Sequence, residues 1–241
     1  MFGGAVGPCT GSGPLSLKSV GLSMGGVLTT SSTAAPLLVS EAVTLGAYST
    51  FGSVAELSSG TSTCPAAAAP PNSASTFSGA IPAYLMAMQQ TSPVSSVLSV
   101  TAGSVTVNGD GATLVSAMTV TVSGGASLGG STTFLGPGTV QLSGQTTVSA
   151  DIILDQQVKV EVSSSSTMSW SGDSFSATLQ ESTTLQVSGG GVLQPMGVFT
   201  FGPSTLLEAT SGGMIQGSGS WTLEQDASPV SPCQVSVNGG S

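Results

Sequence analysis

Thr184-Leu185-Gln186-Val187 followed by Ser188-Gly189-Gly190 is a short run of alternating apolar and polar residues closed by a corner of small ones. The same phrase recurs. Val120-Thr121-Val122 precedes Ser123-Gly124-Gly125, Val140-Gln141-Leu142 precedes Ser143-Gly144, and Val160-Glu161-Val162 precedes Ser163-Ser164-Ser165. Upstream, Leu98-Ser99-Val100 leads into Thr101-Ala102-Gly103. Downstream, Leu207-Glu208-Ala209-Thr210 leads into Ser211-Gly212-Gly213 with a slip of one residue. Corners beginning at Thr101, Ser123, Ser143, Ser163, Ser188 and Ser211 lie 22, 20, 20, 25 and 23 residues apart. A period in the low twenties built from strands is what a stack of β-coils requires.

The segments between corners supply further strands: Val105-Thr106-Val107, Ile152-Ile153-Leu154, Met168-Ser169-Trp170, Phe199-Thr200-Phe201 and Trp221-Thr222-Leu223. Alternation sends Val, Leu and Ile inward and Ser, Thr and Gln outward. Coils stacked at the strand spacing of about 4.8 Å cover one another's inner side chains. Gly at the corners admits positive φ, and Ser or Thr hydroxyls are expected to cap corner amides and to form ladders. An antiparallel sandwich also has short strands, but it does not need a similar corner at every turn. The expected fold is therefore all-β: a parallel β-solenoid, a right-handed β-helix, with coils of about 20–25 residues and one short helix.

Four regions are expected. Residues 1–60 are strand-rich but irregular and read as degenerate coils. Residues 61–93 hold Cys64-Pro65, a run of alanines and Pro70-Pro71, a loop or linker, then the short helix over Ala80 to Gln90. Residues 94–226 are the coils, and residues 227–241, with Ser-Pro-Val-Ser-Pro, read as an exit. Repeats that run close to both ends favour a piece of a longer protein. Residues 1–30 carry no basic stretch followed by an apolar one, so no signal peptide is visible.

Composition narrows the function. Charged residues make up 5% of the chain, with 34 glycines, against about 25% charged in ordinary soluble domains. The mean hydropathy is positive, which argues against disorder. Lys18 and Lys159 are the only cations, there is no His, and the net charge is −9. Phosphate neutralisation and attachment to anionic lipid both need cations, so nucleic-acid and membrane-surface partners are not expected.

The same census restricts chemistry. Triads and dyads that use His are excluded. Gly125-Ala126-Ser127-Leu128-Gly129 matches the nucleophile-elbow pattern, but no base accompanies it in a chain rich in Gly and Ser. Asp151 and Asp155 share a strand face about 13 Å apart, beyond the carboxylate separation of glycosidases. Asp155, Asp173 and Glu181 are candidates for approach between coils. Lys159 and Glu161 form an outward pair, and Glu224 and Asp226 another without a cation. Keeping a nearly uncharged protein soluble accounts for most of these carboxylates, with weak calcium at a corner as the one metal they suggest. No catalytic residue and no cofactor is assigned.

Cys9, Cys64 and Cys233 have neither the spacing nor the histidines of a metal set. A Cys9–Cys64 disulfide that leaves Cys233 for another partner is one reading; three small buried hydrophobes is the other. Trp170 and Trp221, among aromatics recurring about once per coil, are candidates for a carbohydrate platform or for packing.

Coils such as Thr184 to Leu193 and Gly217-Ser218-Gly219-Ser220-Trp221-Thr222-Leu223 resemble the degenerate repeats of pectin-lyase-like β-helix surface proteins. Autotransporter passengers, filamentous adhesins and giant extracellular proteins of algae and protists share that texture. The resemblance covers residues 94–226. It implies an extracellular or cell-surface location and the non-catalytic branch, since the basic proton acceptor or clustered aspartates of the catalytic members have no counterpart here. The expected function is a structural subunit of a surface layer, filament or appendage that self-associates or packs on other extracellular chains. An adhesive carbohydrate-binding module is the alternative, and a polysaccharide lyase or hydrolase a weaker one.

Overall fold

The computed structural model describes residues 15–30, 37–53, 99–117, 119–223 and 234–238. They form a right-handed parallel β-solenoid, and among the described residues there is no helix. The helix expected over Ala80 to Gln90, the linker at 61–93 and all three cysteines lie outside them.

Each coil has three walls. Walls 1 and 2 are the two arms of one 12-stranded sheet that bends at a corner, and wall 3 is a separate eight-stranded sheet. Strands β1 (Leu15–Leu22), β3 (Leu37–Leu45), β5 (Ser99–Val107), β10 (Thr139–Val148) and β12 (Lys159–Trp170) run through both arms. Elsewhere the arms are separate: β7 (Thr119–Val122), β14 (Thr184–Val187), β17 (Leu206–Thr210) and β20 (Gln234–Asn238) lie on wall 1, and β8 (Ala126–Leu128), β15 (Val192–Gln194) and β18 (Met214–Ile215) on wall 2. Wall 3 stacks β2 (Val27–Thr30), β4 (Thr50–Ser53), β6 (Ala112–Ser116), β9 (Thr132–Leu135), β11 (Ile152–Asp155), β13 (Ser176–Leu179), β16 (Val198–Phe201) and β19 (Ser220–Leu223) in chain order. The segment expected as an exit, 227–241, thus includes one more wall 1 rung, with Leu207 paired to Val235.

Parallel register puts like on like. On wall 1, Leu37, Val100, Val120, Val140, Val160, Leu185 and Leu207 form one inner column. Phe51, Leu114, Phe134, Leu154, Leu179 and Phe201 form another on wall 3. All of these are buried. A Val-x-Val strand therefore shields its two branched side chains only when another coil lies above and below.

Register also corrects the repeat. Val100-Thr101-Ala102, and not Leu98-Ser99-Val100, is the counterpart of Val120-Thr121-Val122, so that step is 20 residues, as shown by Ser99 paired with Thr119. Leu207 pairs with Leu185 and Ala209 with Val187, so the last copy has not slipped. The alternation of Leu98 with Val100 imitates a strand two residues early, and composition cannot resolve a shift of one full period. The long step from Lys159 to Thr184 has two sources: Ser143 pairs with Ser163 but Gln145 with Thr167, which adds two residues at the serine run, and Val148 pairs with Trp170 while Ile152 pairs with Ala177, which adds three between walls 2 and 3. Residues 54–98 intervene between β4 and β5, yet Leu37 still pairs with Val100 and Thr50 with Thr113.

Hydroxyls at corners mostly donate to carbonyls, where the sequence suggested that they cap amides. Ser123 Oγ donates to the Ala102 carbonyl at 3.2 Å and Ser166 Oγ to that of Leu142 at 3.0 Å. Gly125 is a corner where glycine is required: its φ is +95°, and a Cβ would run into the Gln145 carbonyl oxygen of the next coil. Gly125→Ala should lower the stability of the solenoid by about 1–3 kcal/mol, from left-handed strain plus the clash, measured by denaturant unfolding. Gly21→Ala, with open space around the site, should stay within about 0.5 kcal/mol of the parent.

Candidate functional site

The outer surface divides by chemistry. Wall 1 carries a polar column in register: Thr121, Gln141, Glu161, Gln186 and Glu208. Thr121 Oγ1 donates to Gln141 Oε1 at 3.3 Å, and Gln186 Nε2 donates to Glu208 Oε2 at 2.7 Å. Gln141 Nε2 approaches Glu161 Oε2 at 3.5 Å, and Ser188 Oγ donates to Glu161 Oε1 at 3.0 Å. The Gln186 amide between Glu161 and Glu208 keeps the two like charges two rungs apart, about 10 Å. The expected Lys159–Glu161 pair is present at 3.8 Å, and Lys18 and Glu41 make a second, exposed pair at 3.4 Å.

Walls 2 and 3 present hydroxyls. Thr44, Thr106, Ser127, Thr147 and Ser169 succeed one another on wall 2. Ser127 of the elbow-like motif is thus a strand residue in that column, with Ala126 and Leu128 buried on either side. On wall 3 the column opposite the inner one reads Val27, Thr50, Thr113, Thr133, Ile153, Thr178, Thr200, Thr222, a β-branched residue at every rung, with Thr50 buried and the others half-buried or exposed.

Two of the carboxylates singled out from sequence, Asp151 and Asp155, are engaged separately. Asp151 Oδ1 accepts from the Ser176 amide at 2.7 Å and from its hydroxyl at 2.9 Å, one coil along. Asp155 Oδ1 accepts from the Gln156 amide at 2.7 Å, in a turn where Gln156 and Gln157 both have positive φ. Asp110, which the sequence reading passed over, accepts from the Ser131 amide at 2.9 Å. Asp110 and Asp151 tie corners to the next rung, whereas Asp155 closes its own turn. Among the described residues no three carboxylates, cysteines or histidines lie close enough together to hold a metal ion. Glu224 and Asp226 lie outside those residues.

The two tryptophans part company. Trp170 is 3% exposed and packs on Phe199 with ring centroids 4.9 Å apart, so it is a core residue with no face for a sugar. Trp221 stacks over Phe199 at 5.6 Å and Phe201 at 5.5 Å, yet is 41% exposed, with β19 the last rung of wall 3 among the described residues. Cys9 and Cys64 lie outside the described residues.

No protein-family model, no curated protein and no solved structure matches the chain.

Thr146 is the odd member of an inner column. It sits between Ala126 and Met168 on wall 2, buried, with Oγ1 lacking a hydrogen-bond partner. Thr146→Val exchanges that hydroxyl for a methyl and should stabilise the protein by about 1 kcal/mol, the cost of an unsatisfied buried polar group. Phe199→Ala, beneath both tryptophans, should destabilise by about 3–5 kcal/mol and red-shift the tryptophan fluorescence; thermal unfolding with an emission scan checks both.

Proposed function

We propose that the chain is a non-catalytic structural solenoid of an extracellular or cell-surface assembly, a layer, filament or appendage, in which copies or partner chains continue the coil stack. The observation that carries this reading is the exposed inner face of β19, the last wall 3 rung among the described residues. Trp221 and Leu223 occupy inner-column positions that are fully covered in the coil beneath, yet Leu223 is 56% exposed. An edge strand with apolar side chains in the core register is a template for another strand, and soluble monomers normally blunt such an edge. The solenoid fold and repeat texture support a likeness to the non-catalytic, pectin-lyase-like surface proteins. An adhesive, carbohydrate-binding role is the second reading, favoured by the hydroxyl-clad walls 2 and 3. A lyase or hydrolase draws less support, because Asp110, Asp151, Asp155, Glu161 and Glu208 are engaged one by one in corner and ladder contacts.

Sedimentation over a wide concentration range should reveal self-association, and Leu223→Lys, a charge placed on the apolar edge, should shift assembly to at least tenfold higher concentration. A monomer at all concentrations that cleaves polygalacturonate or a similar polymer would overturn the structural reading.

A further inference from the structure

We infer that the outer face of wall 3 is a binding surface for a neutral, extended polysaccharide lying along the solenoid axis. The face is built from the six rungs Thr113, Thr133, Ile153, Thr178, Thr200 and Thr222, all half-buried or exposed and in unbroken parallel register. Each threonine places one hydroxyl and one methyl on the surface at every strand spacing of about 4.8 Å. Ile153, 38% exposed, replaces a hydroxyl by an ethyl group in the middle, and Val198, 44% exposed, adds a second apolar patch beside the column. A carbohydrate chain offers the complement: hydroxyls that exchange hydrogen bonds and C–H faces that cover methyls.

Charge and size choose the occupant. The column itself carries no charge, whereas both pairs among the described residues that involve a lysine, Lys18–Glu41 and Lys159–Glu161, belong to the other sheet. Wall 3 is bordered by carboxylates, with Asp110, Asp151 and Asp173 on its entry side and Asp155 and Glu181 on its exit side. A polyanion would be repelled there, and a neutral polymer would not. Five spacings by a four-residue strand give a face of about 24 by 13 Å. Two copies facing one another would bury only about 600 Å², half the lower bound of a stable protein interface. A strip of that shape suits one or two thin polymer chains. The inference goes beyond the structural reading above and does not need it, since wall 3 is accessible whether or not the stack ends are joined.

The test is a pull-down of the whole chain with insoluble cellulose and chitin, and affinity electrophoresis in a soluble neutral β-glucan and in polygalacturonate. Binding is expected to at least one neutral polymer and not to polygalacturonate. The Thr133→Lys/Thr178→Lys variant should lose at least tenfold in retention, while Thr147→Lys on wall 2 should bind like the parent. An Ile153→Ser variant, which keeps the fold and removes only apolar contact, should bind more weakly and serves if the double variant fails to fold. No retention on any neutral polymer would overturn the inference, as would equal retention of Thr147→Lys and the wall 3 variants. So would face-to-face dimers abolished by the wall 3 substitutions, whereas loss of self-association in Leu223→Lys with polymer binding intact would leave it standing.

Discussion

The strands of this protein give their ladder hydrogen bonds to the coils above and below, as parallel strands must when their neighbours in the sheet are a full turn away in sequence, and only tight turns such as Gly191 to Ser188 bond within a coil. The separation between rungs, about 4.8 Å, then governs everything else. It forces inner side chains into columns, so that Val160 can rest on Val140 and under Leu185. It brings corners so close that Gly125 has no room for a Cβ. It also turns every outward position into a ladder, where neighbours are fixed by register and the only freedom left to the sequence is what each rung displays.

That freedom has been used differently on each wall. On wall 1, Gln186 stands between Glu161 and Glu208, so a carboxamide faces a carboxylate at each step. Like charges on adjacent rungs would oppose the stack, and the amide spacing removes that conflict. On wall 3 the column from Thr113 to Thr222 contains no ionisable group at all. In a chain with a net charge of −9 and 5% charged residues, the charges among the described residues thus avoid the middle column of wall 3 and sit on wall 1, at corners and at strand ends. The stability of such an object comes from columns of buried aliphatic groups and ladder hydrogen bonds, with exposed ion pairs contributing little.

The architecture was legible because it is repetitive. Val120-Thr121-Val122 and Leu185-Gln186-Val187 each say strand, and the glycine-containing corners after them say that the strands belong to coils. Register was less legible, since Leu98-Ser99-Val100 alternates as well as its true counterpart, Val100-Thr101-Ala102. Trp170 and Trp221 were indistinguishable, both being inner residues of x-Ser/Thr-x strands. What separates them is whether another rung lies above, which no local pattern encodes. The wall 3 column was available to inspection as the middle residue of Phe199-Thr200-Phe201 and Trp221-Thr222-Leu223. It was passed over because a single outward threonine reads as an ordinary β-former, and only stacking converts it into a surface.

The interval between β4 and β5 has a practical meaning. Ser53 and Ser99 pass from one coil to the next across 45 intervening residues, and the coils on either side still meet in register. Closing a longer loop costs only logarithmically more entropy, about 0.6 kcal/mol for each doubling of length. The number of residues between two successive coils can therefore grow here while the coils themselves keep their register. New sequence, natural or engineered, can be accepted here at small cost, while the same length inserted into a wall would break every column it crossed.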